Sequence, residues 1–292
     1  MNPHILFTVP PPGGHPARRH FQWRTLDISP FLRYTQAIMP RIEIAAEKLF
    51  HIGGFDITNT LITSWVVVAL LVAAAVVVHK RLTIVPGGLQ NVFEFFIEQL
   101  ISLMQGVLAS RATAEKYFPV VGTVFIFILT SNWLGIMPGI GSIGFFETID
   151  TRERFIPLFR SAASDLNVTL ALATVTVFII HALAIGAIGF KAHISKFLSF
   201  RGPIEFFVGI LELISECAKI ISFSFRLFGN IFAGEVLLVV TGFLMPFGGP
   251  LPFLMLEIFV GFVQALVFAM LTTVFISIAV STHDTAEEVA RH

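Results

Sequence analysis

Charge is scarce in this sequence. Its 292 residues include 19 basic and 19 acidic side chains, so 13% are charged, against about 25% in a soluble domain. So little charge cannot cover a water-facing surface. With 55% hydrophobic residues and a mean hydropathy of +0.84, the chain is of the membrane class. The formal net charge is zero, which offers no basic surface to nucleic acid. Cysteine is nearly missing: Cys217 stands alone, so no intrachain disulfide can form. Two tyrosines stand against 32 phenylalanines, a balance that suits lipid-facing helices. No G-x-x-x-x-G-K-[ST] run is present, which excludes ATP binding through a P-loop. The nine histidines are scattered without metal-ligand spacing, so neither a metal nor a cofactor is expected.

What the chain does have is apolar runs, and a spanning helix needs about 20 such residues. Leu61–Val78 closes on His79, Lys80 and Arg81 and predicts a span over 59–79. Residues 118–138 and 167–190 predict two more. The stretch GGLQNVFEFFIEQLISLMQGVLAS, 87–110, places Glu94 and Glu98 four apart among apolar neighbours. That pattern predicts an amphipathic helix at the membrane interface rather than a span. The loop 138–166 holds Glu147, Asp150, Arg152, Glu153, Arg154, Arg160 and Asp165. Residues 1–55 carry prolines and arginines but no h-region with a small-residue cleavage site, and read as a polar, partly amphipathic extension.

The last third differs. From Ile204 to Met245 there are 42 residues without proline, about 63 Å of helix at about 1.5 Å per residue, against a hydrocarbon core of about 30 Å. Leu251–Ser281 would span about 46 Å on the same rise, and PFGGPLP, 246–252, between them is a turn signal. The fold expected is an all-α membrane protein. It has three roughly upright transmembrane helices, one amphipathic interfacial helix, and a C-terminal hairpin of two long, steeply tilted helices (203–245 and 251–281). These form a single membrane domain, 56–283, followed by a tail, 284–292.

Motif by motif, most signals dissolve. GIGSIG, 139–144, matches G-x-G-x-x-G but follows a membrane span instead of a strand, and reads as a turn. Asn167-Val168-Thr169 fits a glycosylation sequon but starts a span. His181, inside a span, reads first as a helix-packing polar group rather than a proton relay. The hairpin keeps its signal. Glu205, Glu212, Lys219 and Arg226 recur every seven residues, which returns to within about 20° of one direction; Glu216 sits close to this stripe. An arginine at mid-bilayer costs at least about 2.5 kcal/mol on insertion scales. Glu235, nine residues after Arg226, faces the opposite side of the same helix, about 180° away, so one ion pair cannot explain both. Glu257 and Gln264 share a face of the second helix.

These residues carry a resemblance. SFRLFGNIFAGEVLL, 224–238, resembles the signature of subunit a of the F-type rotary ATP synthase. VQALVFAMLTTVFISIA, 263–279, resembles that subunit's last helix, and SDLNVT, 164–169, its D-x-N-x-T helix start. The likeness covers about residues 57–283 in order and spacing. It implies that Arg226 separates two aqueous half-channels and faces the carboxylate of a rotating c-ring, with Gln264 beside it. It further implies that Asn230 and Glu235 line the half-channel on the proton-source side, that Asp165 and Asn167 also belong to the proton path, and that Glu212 serves the opposite half-channel. Glu257 falls where some members have histidine, so both members of a usual Glu–His pair are carboxylates here, and Glu235 and Glu257 are expected within reach of one another. Ile220 stands where a proline is often found.

The resemblance also implies partners: an oligomeric c-ring, peripheral-stalk b subunits, membrane lipid, and indirectly the F1 catalytic head. It implies no covalent chemistry of the chain's own and a bacterial plasma or inner membrane. Lysines and arginines near the spans number eight on the side of loops 79–117 and 191–203 with the tail, including Arg201 and Arg291, against five on the other. That asymmetry favours an external N-terminus and a cytoplasmic C-terminus. The competing reading, a proton-coupled secondary transporter, would call for internal repeats and broken helices, and neither is visible.

Overall fold

A computed structural model of the chain describes residues 46–52, 55–81, 87–137, 139–140, 143–149, 152–197 and 202–290. Residues 1–45 of the extension, together with Asp150, Arg201 and Arg291, lie outside the described residues. A strand pair, β1 (Lys48–Ile52) and β2 (Phe55–Thr58), runs antiparallel into α1 (Asn59–Arg81). Then come α2 (Gly88–Leu108) and α3 (Arg111–Ile136). A second antiparallel pair, β3 (Gly144–Ile149) and β4 (Arg152–Pro157), leads through a short turn to α4 (Leu166–Ile188). The short α5 (Phe190–Phe197) precedes the two long helices, α6 (Pro203–Leu244) and α7 (Pro250–Ala290). Among the described residues five helices, α1, α3, α4, α6 and α7, are long and apolar enough to cross a membrane. The membrane part is helical, as expected.

Two features depart from the sequence reading. The hairpins at 48–58 and 144–157 form where an extension and an open loop were expected. A lone two-stranded hairpin is marginal by itself, and here tertiary contacts tie both to the same end of α1. The buried Asn59 side chain donates to Glu47 Oε2 and to the Pro157 carbonyl, each at 3.4 Å. Secondly, α3 begins at Arg111, seven residues before the expected 118. Ala109 ends α2 in the left-handed region at φ 56°. Arg111 then folds α3 back by bonding Glu98 at 2.7 and 2.9 Å and Glu115 at 2.8 Å. The polar turn RATAEK is the wet end of that helix, invisible to a search for apolar residues.

One apolar cluster joins α2, α3, α4, α6 and α7. Helix α7 packs most extensively on α3. Small residues let them approach: a Cβ on Gly261 would lie 3.2 Å from Asn132 Cβ. Asn132 and Trp133 donate across to the Gly261 and Ile258 carbonyls, each at 3.1 Å, the interhelical bonding that lipid favours. Phe223 of α6 stacks on Phe268 of α7 at 4.5 Å. The hairpin turn needs its glycines. Gly248 has φ 83°, and a Cβ on Gly249 would stand 2.5 Å from the Met245 carbonyl oxygen. Pro250, with φ preset, starts α7. Helix α6 runs unbroken through residue 225 for 42 residues.

Candidate functional site

Helix α6 carries most of the ionisable groups expected to matter, and the fold sorts them into three places along its length. Near its C-terminal half, Glu235 pairs with Arg160, which reaches in from the segment after β4. Arg160 Nε lies 2.9 Å from Oε1 and 3.3 Å from Oε2, and Nη2 lies 3.1 Å from Oε2. The Arg160 side chain is 9% exposed and Glu235 32%. A planar guanidinium held by several such bonds is fixed in direction as well as charge. The Arg160 amide also donates to Thr63 Oγ1 of α1 at 3.2 Å, so α1 helps place it.

Glu257 of α7 is brought to the same level. It is 7% exposed, and its carboxyl packs against the α-carbon of Gly234, the neighbour of Glu235 in the chain. A Cβ at 234 would come within 2.5 Å of Glu257 Oε1, so glycine is what admits the carboxyl. Oε2 is buried with no hydrogen-bond partner among the described residues. The two carboxylates are therefore near in position but not bonded to each other: Glu235 turns to Arg160.

The middle of α6 holds Arg226. Ser222, Arg226 and Asn230 recur every fourth residue and share one face. Arg226 is exposed, and its Nη2 donates to Ser222 Oγ at 3.5 Å, the long limit of a hydrogen bond. No carboxylate pairs with it among the described residues. Asn230 Nδ2 donates to Gln264 Oε1, joining α6 to α7. Gln264 is 3% exposed, and its Nε2 is buried without a partner among the described residues.

The third place is near the start of α6. Lys219 Nζ bonds Glu216 Oε1 at 2.7 Å and sits over the Phe275 ring at 4.8 Å. Glu216 Oε2 lies 3.5 Å from His181 Nε2. These side chains, with His193, Lys196 and the exposed Glu212, line a cavity of about 110 Å³. Along α6, Arg226 is ten residues from Glu216 and nine from Glu235, about 15 and 14 Å at helical rise. Helix α4 gives the same order: Arg160 precedes its first residue, whereas His181 lies fifteen residues in, about 22 Å along. Two polar clusters thus occupy opposite ends of the bundle, with Arg226 between them.

Asp165, expected on the proton path, has a structural part in this fold. It is the N-cap of α4: Oδ1 accepts from the Asn167 amide at 2.9 Å and Oδ2 from Thr60 Oγ1 at 2.8 Å. Oδ1 thus caps α4, and Oδ2 holds it to α1. The Asn167 side chain is exposed at the same end. Arg160 and His193 were missed by sequence reasoning. Arg160 meets Glu235 across 75 positions, and no local pattern announces that. Among the described residues, no group of three or more histidines, cysteines or carboxylates is placed to hold a metal ion.

Comparison with known proteins shows the family. The family model described as ATP synthase A chain matches residues 61–277. An ATP synthase subunit a of Moorella thermoacetica is 30% identical over 238 residues, 81% of this chain and 97% of that relative. That of Campylobacter jejuni is 32% identical, covering 78% of this chain and 87% of the relative. That of Gloeobacter violaceus is 31% identical over 85% and 95%. Match, order and spacing run through the whole membrane domain, and the chain belongs to the ATP synthase A chain family, that of ATP synthase subunit a.

Proposed function

We propose that this chain is the stator proton channel of a rotary ATP synthase, with two offset aqueous half-channels that load and unload the carboxylates of a rotating c-ring. The observation that carries the reading is Arg226: exposed on α6, without a carboxylate partner among the described residues, and set between two polar clusters at opposite ends of the bundle. A guanidinium keeps its proton in proteins. Placed between two water paths, it bars a continuous proton wire. It also draws a passing ring carboxylate into its ionised form, so a proton must leave on one side before another is taken on the other.

The first half-channel is formed around Glu235, Glu257, Asn230 and Gln264, with Asn167 at its mouth. Glu257, buried with no cation paired to it among the described residues, is the group that holds and hands on the proton; Arg160 fixes Glu235 beside it. Asp165 supports this half-channel as a helix cap. Glu212 serves the second half-channel. An α6 of about 63 Å in a core of about 30 Å must incline well beyond the usual 20° or so, which lays it along the flank of a ring. The chain itself does no covalent chemistry. Its partners are the c-ring, the peripheral-stalk b subunits and, through them, the F1 head. Its setting is a bacterial plasma or inner membrane with the N-terminus outside.

The test is Arg226→Lys. An ion-pair partner would tolerate lysine, because the charge is kept. A barrier would not, because a buried lysine can lose its proton. We expect Arg226→Lys to assemble and to abolish ATP synthesis, and Arg226→Ala also to leak protons passively in vesicles stripped of F1. Synthesis near the wild-type rate in Arg226→Lys overturns the reading.

A further inference from the structure

The cavity at the start of α6 contains a chain of side chains that the reading above does not use. His193 of α5 places Nε2 at 3.2 Å from His181 Nδ1. His181, on α4, turns its other nitrogen, Nε2, to Glu216 Oε2 at 3.5 Å. Glu216 holds Lys219 through its second oxygen. Each group is entered at one atom and left at another. Two imidazoles are thus in series, and at the far end His193 Nδ1 is buried with no hydrogen-bond partner among the described residues. His193 is 7% exposed. Packing alone has no use for an orphaned ring nitrogen, since a buried polar atom left unpaired costs about 1–3 kcal/mol.

The chain also leads somewhere. Lys219 is seven residues before Arg226 and lies on the same stripe of α6, within about 20°. Glu216 is turned from that stripe towards α4. The series therefore runs from the Arg226-bearing face, sideways through the bundle, to α5 at its end. The cavity of about 110 Å³ along it exceeds the roughly 30 Å³ that a water occupies.

We propose that His181 and His193 are proton-transfer residues, forming with Glu216 a relay between the second half-channel and the surface at α5. This rests on the stator-channel reading. In one direction a proton arrives at His193 Nδ1, and the Nε2 proton passes to His181 Nδ1. The His181 Nε2 proton then passes to Glu216 Oε2, over a gap that a small side-chain rotation closes. Each imidazole ends with one proton, on the nitrogen opposite to where it began, and resets by ring rotation. The reverse sequence carries protons outward.

Among the described residues, the groups facing His193 are His181 on α4, Lys196 on α5, and Glu212, Glu216 and Lys219 on α6, and α7 contributes Phe275, Ile278 and Ala279 to the cavity. Burial holds His193 below the ordinary imidazole range; His181 and Lys196 push it further down, and Glu216 opposes them. A neutral imidazole at pH 7 is what a relay requires, one nitrogen to accept and one to donate.

His193→Phe separates the relay from packing. Phenylalanine keeps the ring that meets His181 and Phe197 at 5.2 and 5.4 Å and removes both nitrogens. In the intact ATP synthase carrying this chain, we expect His193→Phe to assemble in normal amounts. ATP-driven proton pumping should fall roughly tenfold or more, the scale of a lost proton-transfer group. In His193→Ala, imidazole added to the medium should restore part of the rate. An unchanged rate in His193→Phe, or a loss in His193→Ala that imidazole leaves untouched, overturns the relay. Neither result touches the outcome of Arg226→Lys, so the two readings fail separately.

Discussion

A methyl group at position 234 tests whether the position of the Glu257 carboxyl matters. In Gly234→Ala the new Cβ would lie 2.5 Å from Glu257 Oε1, 2.7 Å from Cδ and 3.1 Å from Oε2, where ordinary contact starts at 3.4 Å. The carboxyl must retreat by about 0.9 Å. It is 7% exposed, so it retreats into packed neighbours rather than water. Overpacking costs about 1–3 kcal/mol, and alanine returns about 1 kcal/mol of helix propensity. The net loss, at most about 2 kcal/mol, leaves the complex assembled. Proton transfer is less forgiving, because a misplacement of about 1 Å can cost about a hundredfold in rate.

Gly242→Ala, on the same helix, is the control: its Cβ would meet only Pro250 Cγ at an ordinary 3.6 Å. The assay is ATP-driven pumping in inverted vesicles, followed by dye quenching and normalised to assembled chain. We expect Gly242→Ala to pump at the wild-type rate and Gly234→Ala to pump tenfold to a hundredfold slower. Equal rates in the two variants, at equal assembly, would refute the placement of Glu257 on the proton path.

The Arg160–Glu235 pair should behave as a unit: Arg160→Gln and Glu235→Gln should each slow pumping, and the double variant should be no slower than the worse single. The coupling expected for such a pair is about 0.5–3 kcal/mol, and strict additivity would show that the contact does not operate. Asp165→Ala should lower the thermal stability of the solubilised complex through the lost cap, worth about 1 kcal/mol, and the orphaned Thr60 hydroxyl, while turnover per assembled complex stays unchanged. A fall in turnover at unchanged stability would return Asp165 to the proton path.

The parts of this molecule that follow from a single helix were legible in advance. The length of α6 follows from 42 residues without a proline. The opposed directions of Arg226 and Glu235 follow from nine helical steps, and the structure bears them out in their partners: Glu235 turns to Arg160, while Arg226 stays exposed. Periodicity is silent about what an outward side chain will meet. Arg160 sat among loop charges that looked interchangeable. It was singled out by Thr63 and by the closeness of α1 to the segment after β4, both products of tertiary packing. The His181–His193 contact escaped for the same reason. One residue sits in a span and the other on a short amphipathic helix, and only the turn at Gly189, with φ 83°, brings them together. The cap made by Asp165 was legible but not read: the resemblance drew attention to a motif whose local chemistry, an aspartate two residues before a free helix amide, already described one.

The separation of the two clusters is as informative as their composition. A single continuous polar channel through the bundle would need water or polar groups at every level of α6. Instead, the stretch between Glu216 and Glu235 holds Lys219 and Arg226 alone among charged residues, and Lys219 is bound to Glu216. Phe223, Leu227 and Ile231, each 3% exposed or less, fill the inward face of that stretch, and they pack against α7 through Phe268. In the proposed stator channel, a proton held at the Glu257 level faces this apolar packing inside the chain, and its way on lies along the outer face, where Arg226 stands. On that reading, passage calls for a carrier outside this chain, a carboxylate that moves past the arginine. In the proposed channel the packed Phe223, Leu227 and Ile231 and the exposed guanidinium on the opposite face are two halves of one arrangement: the first closes the direct route, and the second makes the indirect one depend on motion.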